Sequence, residues 1–273
     1  MANIRFSFRN HADTAVLTST YALSTNLPLT NLQRQERYRT ARTTDTANQE
    51  YKLAWAAPVT VAVAATRMHN FTAAVTIATP TYSDSAFTTS IATNAAANAF
   101  AYTGFDGNDI LTEVDFRLLK NTARYLTSSS SVQSMKFVVS DVSNPDTYFD
   151  ISRLWVGDYF EMFYQLPYGG GGFKFDDFSV QGRAFDGSVI TDRGPQGRRL
   201  ELAASQCKSS DWAKLLSGLR YVGKHRDLFV SVFPGDGTWK EAYYQGLFKV
   251  EDVSIFDQNF YNHASQKITL IES

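Results

Sequence analysis

The stretch "SMKFVVSDVSNPDTYFDISRLWVGDYF", residues 134–160, decides the fold class of this chain. Two runs rich in β-branched and aromatic residues flank "VSNPD", whose Asn and Pro suit a turn. The stretch therefore reads as a pair of antiparallel strands. Its second half also gathers Arg153, Trp155, Asp158 and Glu161 in one short run, which raises the question of a site. In a chain that is 14% aromatic, core packing is the weightier reading of an aromatic such as Trp155 taken singly.

On the amino-terminal side, "YKLAWAAPVTVAVAATRMHNFTAAVTIAT" (51–79) holds two apolar blocks separated by "RMHN", which reads as two strands and a bend. "NLPLTNLQRQERYRT" fits an irregular connector or one short helix, with Arg34, Arg37, Arg39 and Arg42 solvated or paired at an interface. The Ala- and Asn-rich segment 88–110 reads as loop over much of its length, with a glycine turn at 104–107. Beyond "YGGGG" (168–172) the style changes. Charges alternate with apolar residues in "FKFDDFSVQGR" and "RRLELAA", as in strands with one wet face, and "DRGPQGR" reads as a turn or hairpin tip. "SSDWAKLLSGLRYVG" is the one convincing helix, about 209–222. Trp212, Leu215, Leu216, Leu219 and Val222 form its apolar stripe, Ser209 or Ser210 its cap, and Gly223 its stop. Further strand patterns, "DLFVSVF" and "EAYYQGLFKVEDVSIF" through "ITLIES", complete a second unit. The expected domains are 1–162 and 163–273.

Composition narrows the function. A hydrophobic fraction of 44% against 19% charged describes a globular chain, and a net charge of −1 opposes a surface built to neutralise a long run of phosphates. Cys207 is the single cysteine, so no intramolecular disulfide or multi-cysteine zinc site can form. The start lacks a basic segment leading into an apolar run, and no stretch approaches the roughly 18–20 apolar residues of a spanning helix, so cytosolic synthesis without membrane insertion is expected. His11, His69, His225 and His263 lack metal-ligand spacing, and His69 reads as a ring satisfied by backbone at a strand end. "FDGND" (105–109) and "FPGDG" (233–237) read as turns, because the calcium-loop order is missing. "YGGGGF" lacks the Lys-Ser or Lys-Thr of a phosphate loop, and no nucleophile elbow occurs. No catalytic residue, cofactor or metal is expected. A sugar platform could be built from aromatics beside polar groups, with Trp55, Asn70, Trp155 and Tyr159 as its candidates.

The order "LPLTNLQ", "LAWAAPVTVAVAATRMHNFT" and "FVVSDVSNPDTYFDISRLWVGDYFEM" resembles the discoidin-like, galactose-binding-type β-sandwich domains of tail-tip and baseplate proteins of tailed bacteriophages. "GRRLELAAS", the helix and "DLFVSVF" through "ITLIES" resemble the split-barrel domains of tail tubes and distal tail rings. The fold implied is mainly β: an amino-terminal galactose-binding-like sandwich, then a split β-barrel with one packed α-helix. Within the opening stretch, the resemblance implies that Ile151, Leu154 or Trp155, and Val156 pack inward and that Gly157 permits the exit turn. It further implies a structural virion protein of the distal-tail or minor-tail kind, made in the host cytoplasm. Copies would form a closed ring, sixfold by analogy, beside tail tube, hub and fibre proteins, with DNA only passing through the channel. In that assembly "TDRGPQGRR" (191–199) is a candidate inserting loop, with Arg193, Arg198 and Arg199 as inter-subunit contacts. No residue matches a family sugar-ligand position, so lectin activity is not inherited from the fold. An adhesin contacting host polysaccharide is the alternative.

Overall fold

The computed structural model describes residues 3–36, 38–100, 121–126, 131–165, 171–183, 185, 188–192, 194, 196–237, 239–253, 257–260 and 263–273. The turn expected at 104–107, "FDGND", Arg193 and most of "YGGGG" lie outside them. The protein is mainly β and divides into two compact units, Met1–Glu161 with Asp227–Leu247, and Met162–Arg226 with Phe248–Ser273. The expected boundary at 162/163 places all later residues together, whereas 227–247 group with the first unit. The reason is chemical: this segment covers a sheet face that would otherwise expose buried apolar and charged side chains.

In the first unit the strands are β1 (Arg5–Ser7), β2 (Val16–Ser19), β3 (Ala41–Arg42), β4 (Gln49–Thr60), β5 (Val63–His69), β6 (Thr76–Ala78), β7 (Thr81–Tyr82), β8 (Ser90–Ala92) and β9 (Ala97–Asn98). They continue with β10 (Asn121–Tyr125), β11 (Ser131–Ser140), β12 (Asp150–Gly157) and β13 (Phe160–Glu161). One antiparallel sheet runs β2-β4-β11-β6-β9, with β7 on β11 and β8 on β7, and a second runs β10-β5-β12-β3. Their facing sides share one core that includes Tyr51, Leu53, Met135, Phe137, Val139, Leu154 and Val156. This is a β-sandwich. The alternation in β11 follows from one face meeting that core, since its residues are buried at every second position over most of its length.

β12 departs from alternation: seven consecutive residues, Ile151–Gly157, are buried. Leu154 and Val156 face the sandwich core, while Trp155 packs on the opposite side with Val63, Ala65, Phe229 and Leu247. The last two belong to the later segment, in which β18 (Leu228–Ser231) pairs with β1, which pairs in turn with β13. A strand covered on both faces reads as a continuous apolar run. Ser7 Oγ accepts the Trp155 indole N–H at 3.0 Å, so the ring's polar handle is satisfied indoors.

In the second unit β14 (Gly171–Asp177), β17 (Gln196–Lys208) and β21 (His263–Glu272) form an antiparallel path that continues to β19 (Gln245–Val253), with β20 (Asp257–Phe260) on β21. The hairpin of β15 (Val180–Arg183) and β16 (Val189–Asp192) is a separate two-stranded sheet. Helix α1 (Ser209–Val222) buries Leu215, Leu219 and Val222, whereas Leu216 faces solvent and Trp212 is half-buried. The serines do not cap it: Lys208 is the N-cap and makes no side-chain cap bond. Asp211 instead accepts the Phe163 N–H at 2.7 Å. Gly223, at φ 56°, ends the helix and returns its N–H to Leu219 O at 2.8 Å.

Candidate docking surface

The four sugar-platform candidates serve other ends. Trp55 is a core residue whose indole N–H donates to His11 O at 2.8 Å, and Trp155 is buried as described. Asn70 Nδ2 donates to Asp146 Oδ2 and Tyr148 O, each at 2.9 Å, and its Oδ1 accepts the Asp150 N–H at 2.9 Å. That amide ties the turn before β12 to the end of β5. Tyr159 is half-buried, with the Arg5 guanidinium 4.3 Å from its ring centroid and the Tyr125 ring edge-on at 5.8 Å. Trp55 and Trp155 are buried, so neither ring is open to solvent, and Asn70 is half-buried with its amide engaged in the turn. His69 behaves as the sequence suggests: its Nδ1 accepts the Phe71 N–H at 3.4 Å and its ring stacks on Phe71.

The arginines of 191–199 find carboxylates within the chain. Arg198 is 3% exposed, pairs with Glu272 at 2.7 Å and lies over the Phe248 ring. Arg199 bonds Asp176 at 2.7 Å and pairs with Glu251. The Arg199 guanidinium holds the Asp176 carboxyl below its ordinary value, as Lys267 does for Glu201. Arg198 is thus enclosed within the chain, while Arg199, also paired, remains partly exposed. Among the arginines of 34–42, Arg42 pairs with Asp150 at 2.6 Å and Arg37 is outside the described residues.

The densest buried charge is also structural. Arg67 and Arg153 stand directly opposite each other on β5 and β12, both 1% exposed. Asp227 places one carboxylate oxygen 3.6 Å from Arg67 Nη1 and 3.7 Å from Arg153 Nε, and Asp13 closes on Arg153 at 2.8 Å. In "FPGDG" the Gly235 and Gly237 N–H groups each donate to Glu241 at 2.9 Å, which makes it a turn. Among the described residues, no group of three or more His, Cys, Asp or Glu could hold a metal, and no helix is long and apolar enough to cross a membrane.

One hairpin leaves apolar side chains uncovered. Every residue of β15 and β16 is exposed. The register sets Val180 opposite Asp192 and Gly182 opposite Ile190, so these four share one face, and Gln181, Arg183, Val189 and Thr191 share the other. Val180 is 68% exposed and Ile190 60%, and Phe178, just before the hairpin, is 62% exposed. The hairpin is rooted firmly. Asp177 accepts the Ser179 N–H at 2.9 Å and the Gln196 amide at 3.1 Å, and Ser179 Oγ accepts the Gly194 N–H at 3.0 Å. Gly194 is required by proximity, since a Cβ there would lie 2.2 Å from Phe178 O. A two-stranded ribbon is marginal in water on its own. The signal for it lay in the two-residue spacing of Phe178 and Val180 with Ile190 across the turn. Without the register, the alternation did not say which apolar residues share a face.

No protein-family model and no curated protein matches the chain. Solved structures do. The lectin domain of lectinolysin complexed with Lewis B antigen is similar at 9% identity and a TM-score of 0.38, over 54% of this chain and 95% of that one. A chitosan-binding module from a chitosanase/glucanase of Paenibacillus sp. IK-5 is similar at 11% identity and a TM-score of 0.39, over 55% and 99%. The family 32 carbohydrate-binding module of Clostridium perfringens NanJ, in complex with galactose, is similar at 10% identity and a TM-score of 0.39, over 57% and 99%.

Proposed function

We propose that this chain is a non-catalytic assembly protein whose β15–β16 hairpin docks on another copy of the chain. The observation that carries the reading is the exposure of Val180 and Ile190 on one face of the ribbon, beside Asp192 and Gly182, with Phe178 exposed just before it and Val189 on the other face. Burying two aliphatic side chains that are about two-thirds exposed stabilises a contact by about 3 kcal/mol, or roughly a hundredfold in dissociation constant. In its narrower form the reading is a structural subunit of a phage tail tip, with copies closed into a ring beside tube, hub and fibre proteins. That form rests on the sequence resemblance. Closed symmetry would cover the hairpin on every subunit. Mass photometry over a concentration series tests the reading: multimers are expected from the native chain and monomers from Val180→Asp with Ile190→Asp. Equal masses for the two proteins at every concentration would reject the hairpin as the joint.

A second reading has its own observation. Tyr38 is 78% exposed in the loop that follows Leu29–Gln33, with the Arg39 guanidinium 5.8 Å from its ring centroid and Arg34 and Glu36 also exposed. An open aromatic face flanked by a cation and a carboxylate suits a sugar ring and its hydroxyls. The adhesin role then moves from Trp55 and Trp155 to Tyr38. On a glycan array, specific signals that vanish in Tyr38→Ala would support it, and an array without signal would remove it.

A further inference from the structure

The outer face of the sheet that holds β4 and β11 carries an uneven set of charges. Lys52 on β4 and Lys136 on β11 stand directly opposite each other in register. Like charges so placed repel. One carboxylate answers both: Glu50 Oε2 lies 3.8 Å from Lys52 Nζ and 3.7 Å from Lys136 Nζ, and it also accepts the Thr20 hydroxyl at 3.1 Å. The three side chains are half-buried and together hold one positive charge in excess. Two rings frame them. Lys52 Nζ is 5.9 Å from the Phe87 ring centroid, Lys136 Nζ is 5.9 Å from that of Tyr82, and the two rings meet edge to face at 5.7 Å.

Phe87 is held there against its preference. Its φ is 62°, in the left-handed region that a bulky aromatic rarely adopts. The Asp84 carboxylate pins the loop by accepting the Ala86, Thr88 and Thr89 N–H groups, and the Ser134 hydroxyl on β11 donates to Asp84 O at 2.6 Å. Strain sustained in this way points to use. Rings at 73° to each other make a notch that fits a branched side chain, not a flat platform. The hairpin offers the complement. Val180 and Ile190 share their face with Asp192, which is exposed and, among the described residues, meets no cation. Asp192 is directly across from Val180 and two residues, about 7 Å, from Ile190. Charge and apolar groups are thus spaced alike on the two surfaces, with opposite signs. A hairpin seated on a second hairpin would instead crowd two Asp192 carboxylates onto one apolar patch.

We propose that the hairpin of one copy seats on this sheet face of the next, with Asp192 between Lys52 and Lys136 and with Val180 and Ile190 against Tyr82 and Phe87. This rests on the hairpin being the joint between copies, and it says where on the second copy the hairpin lands. The joint is heterologous: each chain offers one hairpin and one face, so a joined pair keeps one of each for further copies.

Sedimentation of the full chain over a concentration series tests it. Lys136→Glu turns the surplus of one positive charge into one negative charge, and Asp192→Lys reverses the other side. Each alone is expected to weaken association about tenfold or more, and the two together in one chain to restore it to within about threefold of the native chain. Phe87→Gly keeps the left-handed backbone and removes the ring, and is expected to weaken association about tenfold. A mixing experiment reads the joint directly. Val180→Asp with Ile190→Asp spoils the hairpin and keeps the face, whereas Lys136→Glu with Phe87→Gly spoils the face and keeps the hairpin. Each of these chains is expected to be monomeric alone, and their mixture to form one-to-one pairs and nothing larger. Native multimers that dissolve in Val180→Asp with Ile190→Asp but persist unchanged in Lys136→Glu and in Phe87→Gly would keep the hairpin as the joint and overturn this seat for it. A mixture that stays monomeric, or a charge-swapped chain no stronger than its single variants, would overturn it as well. A native chain that is monomeric throughout would remove the seat and the joint together.

Discussion

Asp227→Asn tests the claim that one remote carboxylate makes two buried arginines tolerable. Its side chain is fully buried and lies 3.6 Å from Arg67 Nη1 and 3.7 Å from Arg153 Nε. The amide keeps the shape and removes the charge. Arg153 retains Asp13 at 2.8 Å, and Arg67 retains its bond to Gln35 O at 2.9 Å, so neither guanidinium is stripped of every partner. Removing one member of a buried ion pair costs about 3–5 kcal/mol. The long separations and the retained partners put this case at the low end, about 3 kcal/mol. With a urea slope of about 2 kcal/mol/M, the midpoint of the first unit should fall by about 1.5 M. Trp55 and Trp155 are both buried in that unit and report its unfolding by fluorescence. A combined Arg67→Met, Arg153→Met, Asp227→Leu variant should recover most of the loss, since apolar replacement of a buried charge set is often neutral. A midpoint shift below about 0.3 M in Asp227→Asn would refute the reasoning.

Three further outcomes are expected. The Asp84 carboxyl is held down at about 2, below the ordinary carboxylate range, by the N–H groups of Thr88 and Thr89. A depressed acid stabilises above its unfolded value and loses that contribution as pH falls through the folded one, so slow amide exchange at Thr88 and Thr89 should persist at pH 4 and disappear towards pH 2. Gly194→Ala forces a Cβ to within 2.2 Å of Phe178 O, so the hairpin root must move; a loss of about 1–3 kcal/mol is expected in calorimetry, together with weaker self-association. Glu272→Ala leaves Arg198, 3% exposed, without its bidentate carboxylate, and should lower the denaturant midpoint of the second unit in proportion to about 3 kcal/mol, with the first unit's midpoint unchanged.

The strands and the helix were legible because their signals are local. The alternation in 131–140, the turn residues of 141–147 and the three-and-four spacing of Leu215, Leu219 and Val222 each report an environment set within a few residues. The role of 227–247 was not legible. "DLFVSVF" looks like any buried strand, and nothing in it says that Phe229 packs on Trp155 instead of on its sequence neighbours. The burial of Trp55 and Trp155 was hidden for a related reason. An aromatic beside polar residues has the same local pattern whether its indole N–H faces solvent or meets His11 O and Ser7 Oγ, as Trp55 and Trp155 do. The helix stripe was over-read at Leu216, where spacing alone could not distinguish the border of the buried face from its centre.

Charge was the least legible feature, and it bears most directly on function. Arg67 meets Asp227, Arg153 meets Asp13 and Arg198 meets Glu272, all across long stretches of chain. A guanidinium in a strand or turn advertises a binding site only while its partner is unknown. Once the remote carboxylate is found, the same residue becomes part of the frame. The docking reading therefore cannot rest on the arginines that first suggested it. It rests on Val180 and Ile190, apolar side chains that water disfavours and that no described part of the chain covers.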